Sequence, residues 1–326
     1  MSDRNRYFDF LRGVAILMVI GIHTFIPEKI ISSGFNFAVL VRQVFNVAVP
    51  LFLALSGFFL YRKPLNSKEA VSTFWRRQIP KHYIPVLIWS LPLFAIDIIA
   101  RKSVLLSVLK LLVCGYSIYY FVALIIQYYL LLPVLQKVKL RGGGIIVSLS
   151  GISIIVVTYF NIFRGMNLPL ILYAGCFVLW GVFYYLGCRL SVSDRNYSLW
   201  LPIAITFVGL ILSYVESLYL VSNYGSGYGI KFSSFVFSAG VILLFLSSKL
   251  ERVYPCSFLN RFIEWVGRNS FFIYLFHCYI VIALDRIPIE LPWIARWIIV
   301  VTSSVAIAEG FKCLPPRIRY YIGSYD

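Results

Sequence analysis

The sequence has very few charged residues for its length. Only 13% of its 326 residues are Asp, Glu, Lys or Arg, whereas 60% are apolar, and the mean hydropathy is +0.84. A water-soluble domain needs a charged surface, so this composition excludes one and predicts an integral membrane protein. The first apolar run lacks a small-residue cleavage site and is followed by others of equal hydrophobicity. We therefore expect a retained span and not a signal peptide.

Acidic residues are especially scarce, and the formal net charge is +17. The basic residues are scattered through short connections and are not gathered on one domain, which argues against binding of nucleic acid. Basic residues in the connections of a membrane protein mark the cytoplasmic side instead.

Paired cysteines are absent as well. The six cysteines lie singly in or beside apolar segments, without CxxC pairs and without His partners at metal-ligand spacing: Cys114, Cys176, Cys188, Cys256, Cys278 and Cys313. They behave as small hydrophobic residues in such settings. We therefore expect neither a disulfide framework nor a metal site.

Long apolar stretches dominate what is present. Those long enough to cross ~30 Å of hydrocarbon fall near residues 10–27, 38–61, 77–100, 119–136, 144–162, 170–189, 199–219, 232–249, 268–284 and 293–312. We predict an all-α, polytopic membrane helix bundle of about ten transmembrane helices. It would form a single domain over residues 1–326 with no soluble extracytoplasmic domain. The segment from Ser103 to Gly115 is too short to span, so it should lie along the surface or re-enter.

An even number of spans places both termini on one side of the membrane. If the N-terminus is inside, most of the 30 Lys and Arg residues fall in cytoplasmic segments. The positive-inside rule therefore predicts that the N- and C-termini are both cytoplasmic.

The first span, "YFDFLRGVAILMVIGIH" (7–23), carries three ionisable residues. Such side chains cost ~2.5–3.5 kcal/mol each inside a bilayer and tend to face functional cavities. Asp9 and Arg12 have the i, i+3 spacing of an ion pair. His23 lies eleven residues beyond Arg12, which is ~16 Å along a helix. The structural alternative is a packing role for His23 and an Arg12 side chain that snorkels to the interface.

A late segment, "GRNSFFIYLFH" (267–277), places Ser270, Tyr274 and His277 on one helix face. A polar face on an apolar span should look toward a water-filled interior. The alternative is polar contact between helices. Glu216, at the outer end of the seventh span, could bind a sugar hydroxyl, pair with a cation or be exposed at the interface.

The connection "WRRQIPKHYIP" (75–85) holds the cations Arg76, Arg77 and Lys81. This cluster could bind a polyanion such as a nucleotide pyrophosphate or a lipid headgroup. As an ordinary topology signal it needs no ligand. The neighbouring His82 would tend to stay neutral among these cations, and we expect it at the interface.

Four segments in order resemble the acyltransferase-3 family, the bacterial membrane enzymes that O-acetylate surface polysaccharides and related glycoconjugates. They are "YFDFLRGVAILMVIGIH" (7–23), "VAVPLFLALSGFFL" (47–60), "YYFVALIIQYYLLLPVL" (119–135) and "VGRNSFFIYLFH" (266–277). Family members usually carry two arginines three residues apart before the third span. Here those positions hold Gln78 and Lys81, and a lysine lacks the planar fork of arginine. Which cations hold the donor is therefore left open.

The resemblance implies transfer of an acetyl group from cytoplasmic acetyl-CoA to a hydroxyl of a cell-surface polysaccharide or lipid-linked glycan. It implies a multi-pass protein of the bacterial cytoplasmic (inner) membrane that contacts membrane lipids and needs no metal. The bundle alone would complete the transfer, and a homo-oligomer is possible. The residues assigned to catalysis are His23, Arg12 and Asp9; to the donor, Arg12, Arg76, Arg77 and Lys81; to the acceptor, Ser270, Tyr274, His277 and Glu216.

In this interpretation Arg12 stands at the cytoplasmic mouth of one continuous passage and His23 lies deep within it. A neutral buried imidazole could act as general base on the acceptor hydroxyl or attack the thioester itself. Tyr274 or His277 could stabilise the oxyanion or position the sugar. The alternatives from other classes are a secondary transporter or flippase for a glycan or lipid-linked intermediate, and a structural subunit. No repeated halves of the kind that transporters show are visible.

Overall fold

The computed structural model describes residues 5–26, 35–166, 168–255 and 257–325, which leaves Arg4 and Cys256 outside the description. Every regular element in these ranges is a helix. In chain order they are α1 (Arg6–Thr24), α2 (Phe37–Phe45), α3 (Ala48–Leu60), α4 (Lys68–Ile99), α5 (Val104–Leu112), a 3₁₀ turn (Ser117–Tyr119), α6 (Tyr120–Lys137), α7 (Gly143–Thr158) with a π-helical end (Tyr159–Phe163), α8 (Leu170–Ala174), α9 (Phe177–Val192), α10 (Trp200–Tyr224), α11 (Phe232–Phe245), α12 (Ser248–Arg252), α13 (Phe258–Arg268), α14 (Ser270–Asp285), α15 (Trp293–Phe311) and α16 (Pro316–Ile322).

The lengths of these helices confirm an all-α membrane bundle. In the described ranges, seven stretches are long and apolar enough to cross a bilayer: Arg6–Thr24, Phe37–Leu60, Lys68–Ile99, Ser117–Lys137, Gly143–Phe163, Trp200–Tyr224 and Trp293–Phe311. Helices α13 and α14 together pass the same test as one span bent by 82°, while α9 and α11 are apolar but shorter. Each of the ten predicted stretches overlaps one of these helices. The number of crossings and the side of the termini stay predictions.

The outward faces of the peripheral helices are strongly apolar. Trp200 on α10 is 81% exposed and Ile145 on α7 is 66% exposed, with many apolar neighbours on the same faces. Such continuous apolar surface is unstable in water and suits contact with lipid. The short α5, with Leu105 and Leu109 exposed and Ser107 buried, is consistent with the prediction of a segment too short to span.

The second predicted span is interrupted in the structure. Helix α2 ends at Phe45 and α3 begins at Ala48, so Asn46 and Val47 form a break in what the sequence predicted as one stretch. The Asn46 amide donates to Gln43 Oε1 at 3.0 Å and to the Tyr228 carbonyl at 2.9 Å. The backbone N–H groups at the break are paired locally, that of Asn46 with the Gln43 carbonyl at 3.1 Å and that of Val47 with the Val44 carbonyl at 3.4 Å.

Helix α1 packs against α13 at backbone contact. A Cβ atom on Gly13 would lie 2.0 Å from the Ile263 carbonyl oxygen, and one on Gly267 would lie 1.8 Å from the Asp9 carbonyl oxygen. Small residues allow this approach between membrane helices, where packing and not the hydrophobic effect drives association. Near the start of α1, Arg6 Nε donates to Glu264 Oε2 at 2.9 Å and fixes the register of the pair.

We expect Gly267→Ala to destabilise the bundle, because the added methyl group must force α1 and α13 apart. The cost of such overpacking is about 1–3 kcal/mol, and it should lower the midpoint of thermal unfolding in detergent. Gly151→Ala is the matched control, since a Cβ there meets nothing within 4 Å. Equal midpoints for the two variants would contradict the tight contact.

Candidate active site

The predicted ion pair at the start of α1 is present. Arg12 Nη1 donates to Asp9 Oδ1 at 2.8 Å, and Asp9 is buried whereas Arg12 is half-buried. The Arg12 guanidinium also lies 5.0 Å from the ring centroid of Phe59. The carboxylate and the ring together hold the guanidinium at this end of α1.

Arg12 lines a cavity of about 290 Å³, called here the inner cavity because it lies at the predicted cytoplasmic end of α1. Its polar lining includes a cation and a histidine from α4 and two hydroxyl residues of α14. Among the residues that line the cavity are Ser56, Gln78, Lys81, His82, Phe121, Tyr129, Ser270 and Tyr274. Gln78 and Lys81 occupy the two positions that resemble the family's paired arginines, and both line this cavity. Ser270 and Tyr274, which the sequence assigned to the acceptor, lie on this side and not beside His23.

Two of the predicted donor cations lie elsewhere. Arg76 and Arg77 are exposed on α4 and do not line the inner cavity. The reason is helical geometry, because residues at 78, 81 and 82 share one face of α4 and the preceding pair points away from it. The sequence grouped these cations by proximity along the chain, which is a poor guide to which face they occupy.

His82 is a residue that the sequence analysis placed at the interface and that the structure places in the inner cavity. Its Nδ1 donates to the Gln78 carbonyl at 2.8 Å, and its ring packs against Tyr129 and Phe271 with centroid distances of 5.5 and 5.1 Å. The signal that could have found it is its i, i+4 relation to Gln78, which puts both on the cavity face of α4.

His23 lines a second cavity of about 160 Å³, called here the outer cavity. Its other polar lining residues are Arg42, Asn46, Tyr120, Tyr173, Ser234 and Ser238. Arg12 and His23 therefore line two different cavities, whereas the sequence predicted one passage that joins them. Because both residues are on α1, eleven positions apart, the cavities lie toward opposite ends of the same helix.

The two intramembrane histidines meet. The rings of His23 and His277 have centroids 5.5 Å apart. His277 is fully buried, and its Nδ1 donates to the Tyr274 carbonyl at 2.9 Å, which fixes its tautomer and leaves Nε2 as an acceptor. In the described part of the chain this Nε2 has no hydrogen-bond partner. The His23 ring is adjacent to this buried acceptor, and buried acceptors are usually paired.

A series of packed aromatic rings lies between the two cavities. Phe121 and Tyr274, both of the inner cavity, have centroids 5.8 Å apart, and Tyr274 lies 6.1 Å from His277, the neighbour of His23. The Tyr274 hydroxyl donates to the Ile118 carbonyl, which anchors that ring. In the part of the chain that the structure describes, these packed rings lie between the inner cavity and His23.

A buried polar network supports the outer cavity. Gln43 Oε1 accepts hydrogen bonds from Lys231 Nζ, from Ser213 Oγ at 3.0 Å and from Asn46 Nδ2 at 3.0 Å. Glu216 accepts from the hydroxyl and backbone N–H of Ser233 and interacts electrostatically with Lys231. Glu216 thus contributes to this network and does not line the outer cavity, although the sequence assigned it to the acceptor.

Sequence reasoning missed Arg42 as a site residue. It is a cation within an apolar stretch, four residues before Asn46, and that i, i+4 polar pair was the available signal.

The described ranges contain no group of three or more His, Cys, Asp or Glu residues arranged to hold a metal ion, and the five cysteines described are free thiols.

Comparison with known proteins adds two findings. The model of a protein family described as an acyltransferase domain matches residues 5–308. The chain is also 25% identical over 341 aligned residues to a serine/alanine racemase from Enterococcus gallinarum, and this match covers 97% of the chain and 47% of that protein. The chain therefore spans about half the length of this curated relative. No solved structure matches.

If the two cavities open to opposite faces of the membrane, cysteines placed in them should react from opposite sides. We expect Ser56→Cys in the inner cavity to be modified by a small membrane-impermeant thiol reagent only from the cytoplasmic side. Ile230→Cys in the outer cavity should be modified only from the other side. The background is a variant without the natural cysteines, and labelling of right-side-out and inverted vesicles is compared by mass shift. Reaction of both positions from one side would contradict the arrangement.

Proposed function

This chain belongs to the acyltransferase-3 family, and from that premise we propose that it is a membrane O-acetyltransferase of the bacterial cytoplasmic membrane. It takes acetyl groups from cytoplasmic acetyl-CoA and transfers them to a hydroxyl of a surface polysaccharide or lipid-linked glycan. The observation that supports this most directly is a histidine pair, His23 and His277, beside a cavity at the opposite end of α1 from the cationic inner cavity. A donor site and an acceptor site on opposite faces need this layout.

The inner cavity suits an anionic coenzyme. Arg12 and Lys81 supply positive charge to its lining, and His82, Tyr129 and Ser270 supply groups that hydrogen-bond. The phosphates of CoA would bind near the two cations through charge-assisted hydrogen bonds. Arg76 and Arg77, exposed outside the cavity, would attract the coenzyme at longer range.

The chemistry centres on His23. As general base, its free ring nitrogen takes the proton of the acceptor hydroxyl while that oxygen attacks the thioester carbonyl. The new C–O bond forms, the C–S bond breaks, and the proton passes from the imidazolium to the departing CoA sulfur. A hydrogen bond from His23 to His277 Nε2 would hold the tautomer that leaves the reactive nitrogen unprotonated.

A covalent route uses the same residue. His23 would attack the thioester, release CoA and carry the acetyl group until the acceptor hydroxyl attacks the acyl-imidazole. Both routes require the thioester to come within bonding distance of His23. The rings of Phe121 and Tyr274 must move aside for the pantetheine arm, so the reaction includes a conformational step of the kind that gates many enzymes.

The second candidate is a transporter or flippase for a glycan intermediate. Two cavities toward opposite ends of one helix, with packed rings along the way, also fit alternating access. Acetyl transfer by the purified protein separates this candidate from the enzyme. The racemase activity named for the Enterococcus gallinarum relative is not carried over, because the match covers less than half of that protein.

We expect His23→Ala to abolish acetyl transfer in a protein that still folds and inserts. Loss of a general base costs 10²- to 10⁴-fold in rate, and loss of a covalent carrier removes that route altogether. His277→Ala should be impaired less, because it only orients His23. The assay is transfer of label from acetyl-CoA to surface glycan by the protein in proteoliposomes. A His23→Ala variant with normal transfer would exclude both routes.

Arg12→Ala and Lys81→Ala should raise the KM for acetyl-CoA, because both remove positive charge from the inner cavity. Arg77→Ala is the matched control, since it removes one cation of α4 that is exposed outside the cavity. We expect about tenfold or more for the cavity residues, as for loss of a charge-assisted hydrogen bond. Steady-state kinetics with varied acetyl-CoA measures it. A larger effect of Arg77→Ala would move the donor site to the surface of α4.

A further inference from the structure

Arg42 is a buried cation without a carboxylate partner among the described residues. In the part of the chain that the structure describes, two arginines are more than nine-tenths buried, Arg42 at 8% exposure and Arg296 at 9%. Arg296 pairs with Asp285. Arg42 instead donates to the Asn46 side chain and lies 5.9 Å from the ring centroid of Phe25. None of the described carboxylates therefore pairs with its positive charge.

This arrangement is costly unless something else supplies negative charge. An isolated cation in the hydrocarbon costs ~2.5–3.5 kcal/mol on insertion scales, and such residues usually pair or face an aqueous cavity. Arg42 faces the outer cavity, the one that contains His23. A ligand with a negative group in that cavity would complete the ion pair.

The Arg42 guanidinium is held in a fixed position. Asn46, which accepts one of its N–H groups, is itself fixed by Gln43 and by the Tyr228 carbonyl. Arg42 lines the cavity, and none of its nitrogens is among the described side-chain atoms that are buried without a partner, in contrast to Arg296 Nε. A fixed guanidinium with free N–H groups matches a carboxylate or a phosphate, which it can bind through two parallel hydrogen bonds.

The charged residues near Arg42 do not neutralise its positive charge. Lys231 is fully buried and bonds Gln43, and Glu216 lies near enough to offset that lysine. Glu216 is thus engaged by Ser233 and Lys231, and the described residues place no carboxylate on Arg42.

We propose that the outer cavity binds the acceptor through an anionic group, a carboxylate or a phosphate, that pairs with Arg42. This rests on the proposed function, in which the outer cavity receives the acceptor, and it narrows the acceptor class. The cavity of about 160 Å³ holds little more than one sugar residue. The anionic group therefore belongs to the residue that carries the reacting hydroxyl or to its direct neighbour, as in a uronic acid or a sugar phosphate.

The test measures binding without any acyl transfer, so it can fail or succeed independently of the proposed reaction. Protein in nanodiscs of uncharged lipid is heated with sodium glucuronate, glucose 6-phosphate or glucose, at ionic strength matched with NaCl. A ligand that binds only the folded protein raises the unfolding midpoint. We expect glucuronate, glucose 6-phosphate or both to raise it, and glucose to leave it unchanged. The larger shift identifies the group.

Variants assign the shift to the outer cavity. Arg42→Gln should abolish it, and Arg42→Lys, which keeps the charge but loses the fork, should reduce it. Arg296→Gln removes the other deeply buried arginine and should retain the full shift. Absence of a shift in the unsubstituted protein with both anions would overturn the proposal, whatever the variants do. An undiminished shift in Arg42→Gln would overturn it equally.

Discussion

Close backbone contact between α1 and the bent span of α13 and α14 is the constraint on which the site depends. Gly13 and Gly267 let the two segments approach until a methyl group on either would overlap a carbonyl oxygen of the other. An 82° bend separates α13 from α14, and on α14 the ring of His277 lies beside that of His23. With a larger residue at the contact, the helices would separate, and the rings of His23 and His277 would no longer lie side by side.

The outer half of the site depends on satisfying polar groups where water is scarce. Gln43 is central to this pairing. Its side-chain oxygen accepts hydrogen bonds from a lysine, from a serine and from the asparagine that bonds Arg42. A network of this kind is stable only when its members are paired, and a group left without a partner is costly. In the described part of the chain two members of the network are not fully paired: Arg42, which has no carboxylate partner, and Gln43, whose Nε2 is buried without a hydrogen-bond partner.

The sequence predicted the bundle well and the site in part. Apolar length identified every long helix, and helical spacing predicted the Asp9–Arg12 pair, because both depend only on residues near in sequence. The meeting of His23 with His277 brings together residues 254 positions apart and depends on the bend at Asn269, which no local pattern specifies. The same limit explains why the sequence did not predict that Ser270 and Tyr274 line the inner cavity with Arg12, since periodicity gives a face but not the cavity that the face borders.

The separation of the two cavities has a chemical consequence for the proposed transfer. A thioester held in the inner cavity is kept from His23 by the rings of Phe121 and Tyr274, and Tyr274 is anchored on the Ile118 carbonyl. A site that stayed open throughout would expose the thioester to water and lose acetyl groups to hydrolysis. Packed rings that part only for the pantetheine arm would admit the acyl group and exclude water. Tyr274 thus lies one helical turn before His277, the neighbour of His23, on the same face of α14.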